Sequence, residues 1–380
     1  MDSSVRLIHI APELPPVVGG VADYTAVLSR RLVEVSEGAV RPVLVHAGEG
    51  KAHDIDVEFP VTDLSGQCSA DVLAATIEKL ANEAEEQVVV LLEYSGYGYS
   101  KRGAPLWLAR GLDRVCGEEG FPLVTMFHEL YATGPPWTSA FWYSFMQRHV
   151  GAKLARLSAE VIANRESAVP WLANRGRIRK GAVHVQPVFS NVGEPKGLPI
   201  CDQRVPYIVV FGGGGRKLRV YEEHGQTLQR LISHHGFDRI IDLGPPANTE
   251  KRGEAWIEFC GTLPAEEISR RLLTASLGVI SYPATRLGKS GAAAAFASHG
   301  IPFILFNEDG TLANTYPYVE GKHFFRGGDV EGDEANFSMK QIKEMSEAIR
   351  TLYQNQLHSS YAAQCVLNCF DSLPHSSSVE

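Results

Sequence analysis

Short apolar, β-branched runs alternate with longer amphipathic stretches along most of the chain. The runs Val5–Ile10, Pro42–His46, Val88–Leu92, Pro122–Phe127 and Glu160–Ala163 read as strands. Between the first two, VADYTAVLSRRLVEVSEG puts Val21, Thr25, Leu28, Leu32 and Val35 at helical spacing, with Gly38 as a stop. Such alternation predicts βαβ units around a parallel sheet, an α/β fold. The pattern restarts after the Pro- and Gly-rich stretch PVFSNVGEPKGLPICDQRVP, with strand-like runs at Tyr207–Phe211, Arg239–Leu243, Trp256–Cys260, Leu277–Ser281 and Pro302–Phe306. A linker near 190–205 therefore separates a domain over 1–195 from a second over 205–340. Residues 340–367 keep helical periodicity without strand signals, which predicts helices over 341–370 packing on the lobes and a flexible tail at 371–380.

The 380-residue length suits two domains of common size, and 44% hydrophobic with 21% charged residues is the balance of a folded globular enzyme. A net charge of −8 argues against a basic nucleic-acid surface, so no nucleic-acid partner is expected. The cysteines are scattered, and Cys365 and Cys369 have helical spacing, so reduced thiols and no metal site are expected. No basic segment leads into an apolar stretch at the N-terminus, and no run of about eighteen apolar residues occurs, so a cytoplasmic chain without a transmembrane segment is expected. The basic residues Arg175, Arg177, Arg179 and Lys180 read as a solvated loop, with peripheral contact to an anionic head group or acidic acceptor as the alternative.

Five segments carry candidate chemistry. In PELPPVVGGVADY a loop ends at Gly19 and Gly20 and opens onto a helix, where backbone amides can approach a phosphate or sugar; a plain structural turn is the competing reading. It lacks the G-x-G-x-x-G spacing, so no nicotinamide cofactor follows. In VTMFHELYATGPPW, His128 and Glu129 follow an apolar strand, at the edge where open α/β sheets hold ligands. In FGGGGRKLRVYE, Gly215 clears the approach for Arg216 and Lys217, two cations suited to a diphosphate leaving group, with Arg219 a rival. In ISYPATRLGKSGAAAAFASHGIPF, Ser290 can cap a helix running through the alanines to Gly300, so that Lys289, Ser290 and Gly291 meet at a positive helix end. Glu93 and Tyr97, in VVLLEYSGYGYS, mark another strand end with an aromatic loop.

The strand, the P-P-x-x-G-G-V-A-D-Y loop and the long helix after it resemble the opening of glycosyltransferase family four enzymes, and the resemblance is strongest at 5–35 and 205–305. It implies the GT-B architecture, two facing Rossmann-like domains with parallel sheets. It also implies a nucleotide-sugar donor held mainly by the C-terminal lobe, a hydroxyl acceptor on the N-terminal lobe, a retaining transfer, and neither cofactor nor metal. Related enzymes often carry a histidine where His128 stands, beside the reacting centre, and His128 with Glu129 are the catalytic candidates. Asp23, Glu93, Tyr97, Arg165 and Glu166 are the acceptor or cleft candidates, the last two because AEVIANRES resembles the last N-lobe strand. The chain departs from the family where two glutamates eight positions apart are usual: counting back from Gly300, they fall on Leu287 and Ala295. Transfer of a hexose is the leading expectation. A non-catalytic nucleotide-sugar or partner-binding subunit, and a nucleotide-sugar epimerase or hydrolase, are the rivals.

Overall fold

A computed structural model describes residues 4–17, 19–49, 54–118, 120–178, 181–199, 204–248, 254–310, 314–330 and 338–373. The chain divides into two compact units, 1–186 with 359–380, and 187–358. The first unit runs β1 (Val5–Ala11), α1 (Gly20–Val35), β2 (Val40–His46), β3 (Val61–Asp63), α2 (Ala70–Asn82) and β4 (Gln87–Tyr94). It continues through α3 (Gly96–Tyr99), α4 (Leu106–Leu112), β5 (Leu123–Phe127), α5 (Ser139–Leu157), β6 (Glu160–Ala163), α6 (Val169–Gly176) and β7 (Val183–Val185). Its seven strands form one parallel sheet in the order β3-β2-β1-β4-β5-β6-β7. Helices cover both faces of such a sheet, so its central strands are apolar nearly throughout; Val89 to Leu92 are wholly buried.

The second unit holds β8 (Val205–Phe211), α7 (Gly214–His234), β9 (Arg239–Leu243), β10 (Ile257–Gly261), α8 (Ala265–Thr274) and β11 (Ala275–Tyr282). It closes with α9 (Gly291–Ser298), β12 (Phe303–Asn307), β13 (Phe324–Arg326) and α10 (Met339–Leu352). Its six strands form a second parallel sheet, β10-β9-β8-β11-β12-β13. In each sheet the order reverses beside the first strand, at β1/β4 and at β8/β11. Crevices for ligands form at such switch points, beyond the carboxyl ends of the strands.

Two expectations about chain division need correction. The boundary falls at 186/187 rather than within 190–205. The helical stretch over 341–370 is two elements assigned to different units: α10 stays in the second, the chain turns extended at His358, and α11 (Ser359–Asp371) belongs to the first, where it packs on α1. No Gly or Pro occurs between Lys340 and Leu367 to signal that break. Residues 374–380 of the expected tail lie outside the described residues.

Candidate functional site

At the β8/β11 switch point the chain leaves β8 through Gly212, with φ of +145°, and enters α7 with Gly213 as its cap. A side chain at Gly214 would place its Cβ 2.7 Å from the carbonyl of Pro246, and one at Gly244, with φ of +98°, would meet the Gly212 carbonyl at 2.8 Å. The glycines let two strand-end loops lie against each other. The result is a cavity of about 180 Å³ floored by Val210, Val279 and Ile280, and rimmed by Gly212, Gly213, Arg216, Tyr282, Ser290 and Gly291. The starts of α7 and α9 both border it. Ser290 caps α9, its Oγ accepting from the Ala293 amide at 3.2 Å. Amides in a first helical turn lack partners inside the helix and carry the positive end of its dipole, so two such ends at one cavity favour an anion.

Arg216 supplies a full charge. Its guanidinium stacks 4.1 Å from the Tyr282 ring centre and donates to Glu308 Oε1 at 2.8 Å. Arg219 pairs with Glu308 Oε2, also at 2.8 Å, and Ser281 donates to Oε1 at 3.0 Å. Glu308, directly after β12, was not among the sequence candidates; an acid at a strand end was the signal that could have found it. Leu287 and Ala295, where the family's glutamates would stand, are buried in the apolar core of this unit.

Lys217 does not act as expected. Its side chain is buried, and its ammonium donates to Asp242 Oδ1 at 2.5 Å and to the Gly244 carbonyl at 3.2 Å, while Tyr221 donates to the other Asp242 oxygen at 2.7 Å. Burial lowers its pKa, and the Asp242 pairing offsets this only in part. Lys217 borders the cavity as a buried cation committed to Asp242 and the Gly244 carbonyl, whereas Arg216 lies at the rim, paired with Glu308. Gly215 and Lys289 flank the rim without lining the cavity.

The first unit gathers a different set at its own switch point. His9 on β1 and Glu93 on β4 are wholly buried in the middle of an apolar sheet. His9 Nε2 donates to Glu93 Oε1 at 2.9 Å, His128 Nε2 donates to Oε2 at 2.6 Å, and His9 Nδ1 bonds Ser29 Oγ on α1 at 2.8 Å. With both Nε2–H groups donated to one carboxylate, the orientations of the two imidazoles are tied to Glu93. Tyr24 sets its ring edge-on to His128 at 5.0 Å, and Asn164 donates to the His128 carbonyl at 3.2 Å. Of Ser29, His9, Glu93 and His128, only His128 has any exposure, at 7%. Burial alone would raise the Glu93 carboxyl, but the bonds and charges of His128 and His9 outweigh it and hold the group at about 2. Glu93 is thus an internal anchor rather than the open cleft residue expected.

The remaining candidates scatter more widely. Burial raises half-buried Asp23, in the first turn of α1, to about 6. Gly19 caps α1 with extended backbone, and Gly20 begins it. Tyr97 is exposed, its hydroxyl accepting from Gln147 at 3.1 Å. Glu129 is half-buried beside His128, Arg165 is half-buried after β6, and Glu166 is exposed. Arg175 and Arg177 are exposed, while Arg179 and Lys180 lie outside the described residues. Among the described residues Glu160, His184 and Cys369 are the one group with ligand atoms within 4.8 Å of one another, and the Glu160 oxygens there bond His184 at 2.8 Å and Ser372 at 2.9 Å.

No protein-family model and no curated protein sequence matches the chain. Solved structures do. The E. coli trehalose-6-phosphate structure bound with UDP-2-fluoro glucose aligns over 97% of this chain and 99% of its own, at 11% identity and a TM-score of 0.62. The lipopolysaccharide outer core galactosyltransferase WaaB aligns over 97% and 99% at 11% identity and TM-score 0.58. A Listeria monocytogenes protein assigned as a UDP-N-acetylglucosamine 2-epimerase aligns over 97% and 96% at 12% identity and TM-score 0.50.

The fold is of the GT-B type.

In a GT-B chain the two sheets are separate Rossmann-like units, and the cavity at β8/β11 and the histidine–carboxylate chain at β1/β4/β5 each occupy the ligand edge of their own sheet. Among the described residues no helix is long and apolar enough to cross a membrane.

Proposed function

We propose that this GT-B protein transfers a glycosyl group from a nucleoside-diphosphate sugar to a hydroxyl acceptor. The observation that carries the reading is the meeting of two helix N-termini and the Arg216 guanidinium at one glycine-cleared cavity. Fixed amide dipoles and a cation stabilise the negative charge that gathers on a diphosphate as the sugar bond breaks, and they need no reorganisation to do so. The departing phosphate oxygen can itself take the acceptor proton, so the leucine and alanine at the family's glutamate positions do not remove the chemistry. Retention, independence from metal and a hexose donor belong to this reading.

His128 is proposed to contact the sugar or its acceptor through Nδ1, oriented by Glu93 and Tyr24. Glu129 is proposed to assist from the adjacent position, and Ser290 and Gly291 to bind phosphate oxygens.

The test is release of nucleoside diphosphate from UDP-, GDP- and ADP-sugars with and without a panel of hydroxyl acceptors. Acceptor-dependent release, reduced in His128→Ala, is the expected result. Turnover to an isomeric sugar nucleotide or free sugar without acceptor would instead assign an epimerase or hydrolase, and binding without turnover would assign a non-catalytic subunit.

A further inference from the structure

The N-terminal half of α5 inverts the usual arrangement of a surface helix. Trp142, Phe145, Met146 and His149 follow i, i+3, i+4, i+7 spacing and share the solvent face, whereas Ser144, Gln147, Val150 and Gly151 are turned inward. Trp142 is 67% exposed, Phe145 59% and Met146 48%, and Trp137 just before the helix is 84% exposed. Gln147 fixes this rotation: its Oε1 accepts from the Ala132 amide at 2.6 Å, and its Nε2 donates to the Arg102 carbonyl at 2.9 Å and to Tyr97. Phe141 meets Trp142 and Phe145 edge-on at 5.5 and 5.6 Å, so the rings form one cluster.

Charge is segregated in the same place. From Leu130 to Ala159 there is no Asp or Glu, in a chain whose net charge is −8, while Arg148, Lys153 and Arg156 are all cationic. Along the exposed stripe the aromatic cluster gives way to His149, Lys153 and Arg156; Lys153 also pairs with Asp113 at 2.7 Å. The stripe from Trp142 to Arg156 is about 21 Å long at 1.5 Å per residue.

We propose that this face of α5 is an interfacial anchor that seats the first unit on a bilayer carrying anionic lipid. Aromatic rings enter the acyl boundary while neighbouring cations stay at head-group level, the composition of a helix lying in the membrane plane. The four exposed apolar side chains offer roughly 600 Å² from their exposed fractions and ordinary sizes, less than the about 800 Å² per partner of a stable protein interface. A bilayer needs no matching surface, and its anionic head groups complement the exposed cations Arg148 and Arg156.

The experiment is co-sedimentation of the full chain with phosphatidylcholine vesicles and with vesicles containing phosphatidylglycerol, at low and high salt, alongside sedimentation equilibrium without lipid. The expected result is binding to the anionic vesicles that weakens with salt. Trp142→Ser/Phe145→Ser and Arg148→Glu/Arg156→Glu should each reduce it by roughly tenfold or more while remaining folded at the assay temperature, which thermal melts check. The proposal is overturned by no binding to anionic vesicles at low salt, by equal binding to phosphatidylcholine alone, or by wild-type binding in both variants. Self-association that Trp142→Ser/Phe145→Ser removes would assign the face to a second copy and equally overturn it.

Discussion

Replacing Glu93 by Gln tests the buried histidine–carboxylate chain. The carboxylate accepts one hydrogen bond on each oxygen, from His9 Nε2 and His128 Nε2. An amide offers one acceptor and two donors, so one histidine must change tautomer or lose its partner in a wholly buried position. The sign follows from a depressed acid: Glu93 titrates at about 2 in the folded protein against an ordinary 4.5, so its contribution is complete above about pH 4.5 and lost as pH falls toward 2. At about 1.4 kcal/mol per unit, that is roughly 3 kcal/mol at neutral pH. For a unit of this size the loss lowers the melting temperature by roughly 6–12 °C. Because two units can melt separately, the assay is calorimetry that resolves the transitions at pH 7, with wild-type and Glu93→Gln urea midpoints compared from pH 6 down to pH 3. Wild type should lose stability across that acid range and the variant should lose less. An unchanged first-unit transition at pH 7, or the same acid sensitivity in both proteins, would refute the reasoning.

Three further outcomes follow from the same geometry. Lys217→Met leaves Asp242 charged and buried with only Tyr221 as partner, and should destabilise the second unit by about 3–5 kcal/mol in urea unfolding, whereas an outward-facing phosphate lysine would cost far less. Asp23→Asn should stabilise the protein by about 1 kcal/mol at pH 7.5, a figure reduced for partial exposure. Burial raises this acid from an ordinary 3.8 to about 6, so the gain is full above about pH 6, fades as pH falls through 6 and is gone by about pH 4, and thermal melts across that range check it. His128→Ala should lower kcat by about 100-fold or more while leaving nucleotide affinity unchanged, and pre-steady-state binding with turnover assays separates the two.

Much of the fold was legible because a parallel sheet covered on both faces needs uninterrupted apolar strands, and those runs stand out in β1, β4, β8 and β11. The edge strands β3, β7 and β13 have three residues each and only partial burial in β3 and β7, so they leave no comparable pattern. His9 carries a signal of its own: a titratable group inside LIHIA must find a partner if that strand is buried. Its partner, 84 residues away, is set by the pairing of β1 with β4, which local spacing does not encode. The same holds for Lys217 with Asp242 and for Arg216 with Glu308, where glycines and basic residues marked the loop but not which cation faces inward. Ser290 was readable because a cap acts within its own turn.

The proposed function requires that the β8/β11 cavity bind a nucleoside diphosphate through the ends of α7 and α9 and Arg216. Isothermal calorimetry of UDP, GDP and ADP against wild type and Arg216→Ala tests it most directly. Saturable binding of one nucleotide is expected, weakened by roughly 10- to 100-fold in the variant through loss of a charge-assisted contact. No binding of any of the three to folded protein, or equal affinity in wild type and variant, would contradict it.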